Sequence, residues 1–195
     1  MKSIIFATNN PNKVAEVRSI LDDNFEILSL KEAGIDIDIA EPYDSLQENA
    51  CEKARVIHRL TQKDCFAEDT GLEVDALNGE PGVKSARYAG PGRSSEDNID
   101  KLLTKLAGKQ DRQARFRTLF CLICNGEEKI FEGICKGIII AERKGVSGFG
   151  YDPVFIPEGS TKTFAEMSIQ EKNIYSHRKK AMEKVTAYLK SNLCF

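Results

Sequence analysis

The chain has little surplus charge and no long apolar run. Among 195 residues there are 28 Lys and Arg and 30 Asp and Glu, a formal net charge of −2. Without a basic surplus there is no overall electrostatic footprint for nucleic acid or an anionic membrane, so any anion site must be local. No apolar stretch reaches the roughly 18 residues that a membrane-spanning helix needs. The run in "MKSIIFATNN" is too short for a signal peptide. The expectation is a soluble, cytoplasmic protein that engages neither nucleic acid nor membrane. No internal repeat, low-complexity tract or Pro/Gly/Ser-rich linker interrupts the chain, so one domain over residues 1–195 is expected. Histidine occurs only as His58 and His177, which excludes a His-built metal cluster.

The six cysteines (51, 65, 121, 124, 135, 194) are scattered and lie mostly in apolar runs. That usage suits a reducing compartment, where a cysteine behaves as a small hydrophobe. Cys121 and Cys124 form a CxxC inside a strand-like run, which sends them to opposite faces, so the pair reads as structural.

What is present is ordinary globular composition, 41% hydrophobic and 30% charged. "SIIFAT" (3–8), "FEILSL" (25–30) and "DCFAE" (64–68) read as strands. The helical segments are "NPNKVAEVRSILDD" (10–23), "SLQENACEKARVIHRL" (45–60), "SSEDNIDKLLTKLAG" (94–108) and "SHRKKAMEKVTAYLKSN" (176–192). Ser45 and Glu48 have capping-box spacing. Asn125-Gly126 between two apolar runs is a strong hairpin signal. Strands and helices alternating around a central hairpin predict an α/β protein with a mixed sheet.

Five stretches carry candidate chemistry. "TNNPNK", Thr8, Asn9, Asn10, Pro11, Asn12 and Lys13, follows the first strand, where free N–H groups and a helix start suit a phosphate. It matches neither GxxxxGK[ST] nor GxGxxG, and taken alone it is better described as an Asn-rich turn with an N-cap and a solvated Lys. Asn49 and Lys53, four apart, share a helix face bordering an apolar stripe, with Glu41 as a partner acid; a boundary Lys–Glu pair explains them as well. In "DCFAEDTGLEVDAL" two acids, Glu68 and Asp69, end a buried strand and precede an expected turn at Thr70-Gly71. Adjacent buried acids are costly unless a divalent cation lies between them; Asp69 capping a turn is the alternative. In "SGFGYDPVF", Gly148 and Gly150 expose Phe149 as a platform for a base, with Asp152 to accept hydrogen bonds, or else Phe149 is core. In "EKNIYSHRKK", Lys172, Ser176, His177 and Arg178 gather at the start of the last helix, while Lys179 and Lys180 read as a solvated face.

With "TNNPNK", "ENACEKA", "EDTGLEVDALNGEPGVKSARYAG", "GFGYDPVF" and "SHR" in this order, the chain resembles the inosine triphosphate pyrophosphatase family over residues 8 to 178. The resemblance implies an elongated mixed sheet flanked by helices, two lobes with a central active-site cleft, and a homodimer. It implies Mg²⁺-dependent hydrolysis of non-standard purine nucleoside triphosphates (ITP, dITP, XTP) to the monophosphate and pyrophosphate, cleansing the nucleotide pool. By the same resemblance Asp69 is catalytic and a Mg²⁺ ligand, and Glu41 is a second metal-associated acid. Thr8 to Lys13 and Lys53 bind the triphosphate, and Thr70 contacts substrate. Phe149, Gly150, Tyr151, Asp152, Lys172, His177 and Arg178 serve the base. Two positions depart from some relatives: Glu68 stands where they carry Asp, and Tyr151 where they carry Trp. A non-catalytic nucleotide-binding module and a phosphatase releasing orthophosphate are the competing classes.

Overall fold

The computed structural model describes residues 2–21 and 25–192. Seven strands and five α-helices occur among them: β1 (Lys2–Phe6), α1 (Pro11–Arg18), β2 (Phe25–Ser29), α2 (Leu46–Thr61), β3 (Cys65–Val74), β4 (Pro81–Gly82), α3 (Ser95–Lys105), β5 (Gln113–Cys124), β6 (Glu127–Ile139), β7 (Phe155–Pro157), α4 (Ile169–Tyr175) and α5 (His177–Asn192). The strands form one sheet in the order β2-β1-β3-β5-β6-β7, with β4 paired to β3. β1 runs parallel to β2 and β3, whereas β3–β4 and β6–β7 are antiparallel. The expected mixed sheet flanked by helices is therefore the fold.

The chain divides into two compact units. The first holds the residues up to Asp69, Thr118–Gly133 and the chain from Arg178 onward; the second holds Thr70–Arg117 and Ile134–His177. In the first, Phe6, Phe66 and Phe120 point to one face, with ring centroids 4.6 Å apart for Phe6–Phe66 and 5.7 Å for Phe66–Phe120. Val14 and Val17 of α1 and Ala181, Met182, Val185 and Leu189 of α5 close over these rings. On β3 the odd-numbered positions Cys65 and Asp69 face α2, where the Cys65 thiol donates to the Ala54 carbonyl at 3.3 Å. The second unit packs Leu72, Val74, Phe116, Phe155 and Phe164 against Ile99, Leu102 and Leu106.

Local chemistry explains most boundaries. Ser45 starts α2 by accepting from the Glu48 amide. Asn125 and Gly126 both take left-handed φ, 51° and 80°, as a two-residue hairpin turn demands. The first helix stops at Arg18, earlier than its pattern suggested, because the ladder tightens where Ile20 N–H bonds Val17 O. The expected extension through Asp22 and Asp23 lies outside the described residues, as does Cys194. Helix α4 escaped the periodicity because it has only seven residues, yet Ser168 and Glu171 build a full capping box at its start. Among the described residues no helix is long and apolar enough to cross a membrane.

One expectation is corrected. No turn forms at Thr70-Gly71; β3 continues to Val74. Gly71 is needed for close approach instead, since a Cβ there would meet the Gly82 carbonyl oxygen of β4 at 2.6 Å. Gly71→Ala should destabilise the protein by about 1–3 kcal/mol, the usual cost of overpacking. Urea unfolding checks this, and an unchanged midpoint would mean that the β3–β4 contact relaxes freely.

Candidate active site

β3 carries the two central acids at consecutive positions, and consecutive strand side chains point to opposite faces. Asp69 therefore turns toward α2. Asn49 Nδ2 donates to Asp69 Oδ2 at 3.3 Å and to the Tyr43 carbonyl at 3.0 Å, while Asn49 Oδ1 accepts from the Tyr43 amide. Lys53, one turn further along α2, places Nζ 2.5 Å from Glu41 Oε1 and 3.5 Å from Asp69 Oδ1. An ammonium thus stands between the two acids expected to hold the metal. A site that already seats a cation between hard carboxylate oxygens has the donor chemistry that Mg²⁺ requires.

Burial is the largest influence on Asp69 and pushes its carboxyl above the ordinary range. Lys53 and Lys13 counteract that push, and Glu41 and Glu68 add to it. For Lys53, burial disfavours the ammonium, but Asp69, Glu41 and Glu68 outweigh it and the net shift is upward. The result is a cation that stays charged beside an acid that takes up a proton more readily than usual.

Glu68 turns to the other face. Its partners are Lys13 of α1 and Arg178 of α5, the latter with Nη2 at 3.2 Å. Arg178 is 1% exposed and also pairs through Nη1 with Glu16 of α1. The picture of one cation held between adjacent Glu68 and Asp69 is thus replaced by two sets of charges, one on each face of β3. Arg178, expected at the base, is committed to Glu68 and Glu16 in the first unit.

The "TNNPNK" loop is shaped by its own side chains. Asn10 caps α1 by accepting from the Asn12 and Lys13 amides, Thr8 Oγ1 accepts from the Asn10 amide, and Asn9 donates to the Ile37 carbonyl. Three of the loop amides that a phosphate would use, those of Asn10, Asn12 and Lys13, are therefore already occupied. Pro11 and Asn12 are exposed, and Lys13 is half-buried. A cavity of about 700 Å³ opens beside the loop, lined by Thr8, Asn9, Pro11, Arg18 and Lys31 among others. It includes none of Glu41, Glu68, Asp69 and Lys53, so the chemistry is assigned to the charged centre rather than to this cavity.

The second unit gathers another set. Asp152, 3% exposed, accepts from Lys172 Nζ at 2.5 Å and from the Phe149 amide at 3.0 Å. Gly148 takes φ +78°, and a Cβ on it would strike Asp152 Oδ2 at 2.1 Å, so only glycine lets the carboxylate turn back under this loop. Lys172 Nζ lies 5.1 Å from the centre of the half-buried Phe149 ring, within cation–π range. Gly150 follows at φ +61°. His177 is buried and stacks on Phe116 at 4.8 Å. Thr70 belongs to this unit and is half-buried. Tyr151 is different: it is 3% exposed in the apolar core, and its hydroxyl donates to the Ser85 carbonyl at 2.8 Å. Its ring is packing rather than a surface offered to a ligand.

A model of the Ham1 family matches residues 4–188. The chain belongs to the Ham1 family. A relative from Flavobacterium psychrophilum, named dITP/XTP pyrophosphatase, is 47% identical over 188 residues, covering 96% of this chain and 99% of its own. One of the same name from Bacillus subtilis is 43% identical, with 98% of each chain covered. The solved Ham1 protein of Staphylococcus aureus superposes with a TM-score of 0.88 at 38% identity, covering 98% of this chain and all of its own. In this Ham1-family chain the two charge sets are carried by its own side chains.

Glu16 stood outside every sequence motif. Its signal was a lone acid between Val14 and Val17 on the buried face of α1, which calls for a buried cation. Glu16→Ala should cost about 3–5 kcal/mol, because it leaves the buried Arg178 guanidinium without the acid at its Nη1. Chemical denaturation tests this; a loss under about 1 kcal/mol, the surface-pair range, would show that the pair is not holding α1 to α5.

Proposed function

We propose that this chain hydrolyses non-standard purine nucleoside triphosphates to the monophosphate and pyrophosphate, with Mg²⁺ as cofactor. The observation that carries the reading is Asp69, held by Asn49 and paired through Lys53 with Glu41, in a chain whose relatives are named dITP/XTP pyrophosphatases.

Asp69 orients a water and accepts its proton as the water attacks phosphorus; its raised pKa makes it the better base near neutrality. Asn49 fixes one carboxylate oxygen, and the other, 3.5 Å from Lys53 Nζ, takes the water once Lys53 turns to the phosphates. Lys53 and Lys13 exchange carboxylate for phosphate oxygens when substrate arrives, so their charges move from resting partners to the developing pyrophosphate. Arg178 and Glu16 hold Glu68, and through it Lys13, in place. Bound between Glu41 and Asp69, Mg²⁺ would neutralise phosphate charge and polarise the bond that breaks. In the second unit, Phe149 offers a face for stacking, and Lys172 and His177 supply N–H donors. Donors favour the 6-carbonyl of hypoxanthine and xanthine over the 6-amino group of adenine, where donor would face donor at about 1–3 kcal/mol.

Product identity tests the reaction class. ITP, dITP and XTP should each give the nucleoside monophosphate and pyrophosphate, with ATP turned over poorly; orthophosphate and the diphosphate would make the chain a phosphatase instead. Asp69→Asn should lower turnover by at least about 10²-fold, with the circular dichroism spectrum and unfolding midpoint close to those of wild type. Turnover within a few-fold of wild type would remove Asp69 from the mechanism.

A further inference from the structure

The CxxC of the sequence separates in the fold, and one of its cysteines meets a different partner. Cys124 joins the aromatic face of β5 and donates to Asp64. Cys121 faces α2, where its thiol reaches Cys51; both are buried, at 0% and 4% exposure. Glu128, exposed on β6, completes the group. The two Sγ atoms and a Glu128 carboxylate oxygen all lie within 4.8 Å of one another. None of these residues has a part in the chemistry assigned above.

We propose that Cys51, Cys121 and Glu128 form a binding site for a thiophilic divalent cation of the Zn²⁺ or Cd²⁺ class. In a tetrahedral zinc site the ligand atoms stand roughly 3.4–3.8 Å apart, given bonds of about 2.3 Å to sulfur and about 2.0–2.2 Å to oxygen. The three atoms therefore need to close by no more than about 1.0–1.4 Å. Two sulfurs and one oxygen select against Mg²⁺ and Ca²⁺, which take oxygen shells, and the exposed Glu128 leaves a fourth position to water.

The surroundings suit this use. Arg55, one turn beyond Cys51 on α2, grips Glu128 with Nε at 2.7 Å from Oε2 and Nη2 at 2.8 Å from Oε1. A carboxylate has about four lone-pair sites, so this clamp fixes its direction and still leaves sites for a metal. Two thiolates and one carboxylate sum to three negative charges, which a divalent cation and Arg55 balance. The Cys121 thiol hydrogen-bonds Cys51, which holds the Cys51 pKa down and its own up. A cation bound by both sulfurs displaces the protons that the thiols carry. Affinity should accordingly rise with pH, and binding should release protons.

The test is a Cd²⁺ titration of the reduced protein in excess Mg²⁺, which fills oxygen sites. Near-UV cadmium–thiolate absorbance and proton release are followed together. The expected result is a thiolate band saturating at one Cd²⁺ per chain. The band should disappear in Cys51→Ser and in Cys121→Ser and persist in Cys65→Ser. Glu128→Gln, a surface change that does not threaten folding, should weaken binding about 10–100-fold. No near-UV band, a band that survives the Cys51→Ser/Cys121→Ser double variant, or unchanged affinity in Glu128→Gln would each overturn the proposal.

Discussion

A β-strand cannot present two neighbouring side chains to the same face, and this constraint at Glu68-Asp69 organises the first unit. Asp69 is handed to α2, which supplies an amide and an ammonium from positions one helical turn apart. Glu68 is handed to α1 and α5, which supply Lys13 and Arg178. One short peptide step thereby ties three helices to the middle of β3. Asn49, Lys53 and Arg178 are all buried in consequence, since each must follow its acid inward.

Such burial is expensive, and replacing charges with apolar groups often leaves a protein as stable or more so. The first unit keeps Glu16, Glu68, Asp69, Lys53 and Arg178 below 9% exposure nonetheless. Charges held that way are rigid, screened little by salt, and ready to be re-partnered by an incoming anion. The second unit buries its ionic pair differently. Asp152 accepts from an ammonium and a backbone amide, and that ammonium, of Lys172, lies over the Phe149 and Phe164 rings.

The sequence made visible whatever depends on short spacing. Asn49 and Lys53 share a helix face because they are four apart, and the Asn125-Gly126 hairpin needs only two left-handed residues. The mixed sheet followed from alternating elements around that hairpin. What stayed hidden depends on partners distant in the chain. Glu16 gains meaning only from Arg178, 162 positions away. Gly71 reads as a turn residue until Gly82 is brought against it. Tyr151 sits inside a motif that otherwise looks ligand-facing, and only packing against Tyr88 and Phe155 marks it as core. Arg178 reads as one of a polar trio with Ser176 and His177, yet the first turn of α5 divides them, His177 to the aromatic core and Arg178 to the acids.

The Arg178 triad also has a consequence for the nascent chain. Glu68 precedes its guanidinium partner by 110 positions. At about 5–20 residues per second, translation leaves that acid without Arg178 for on the order of 5–20 s. Over the same interval the ribosome delivers every segment of the second unit, which ends at His177. The unit that begins the chain is therefore the one completed last.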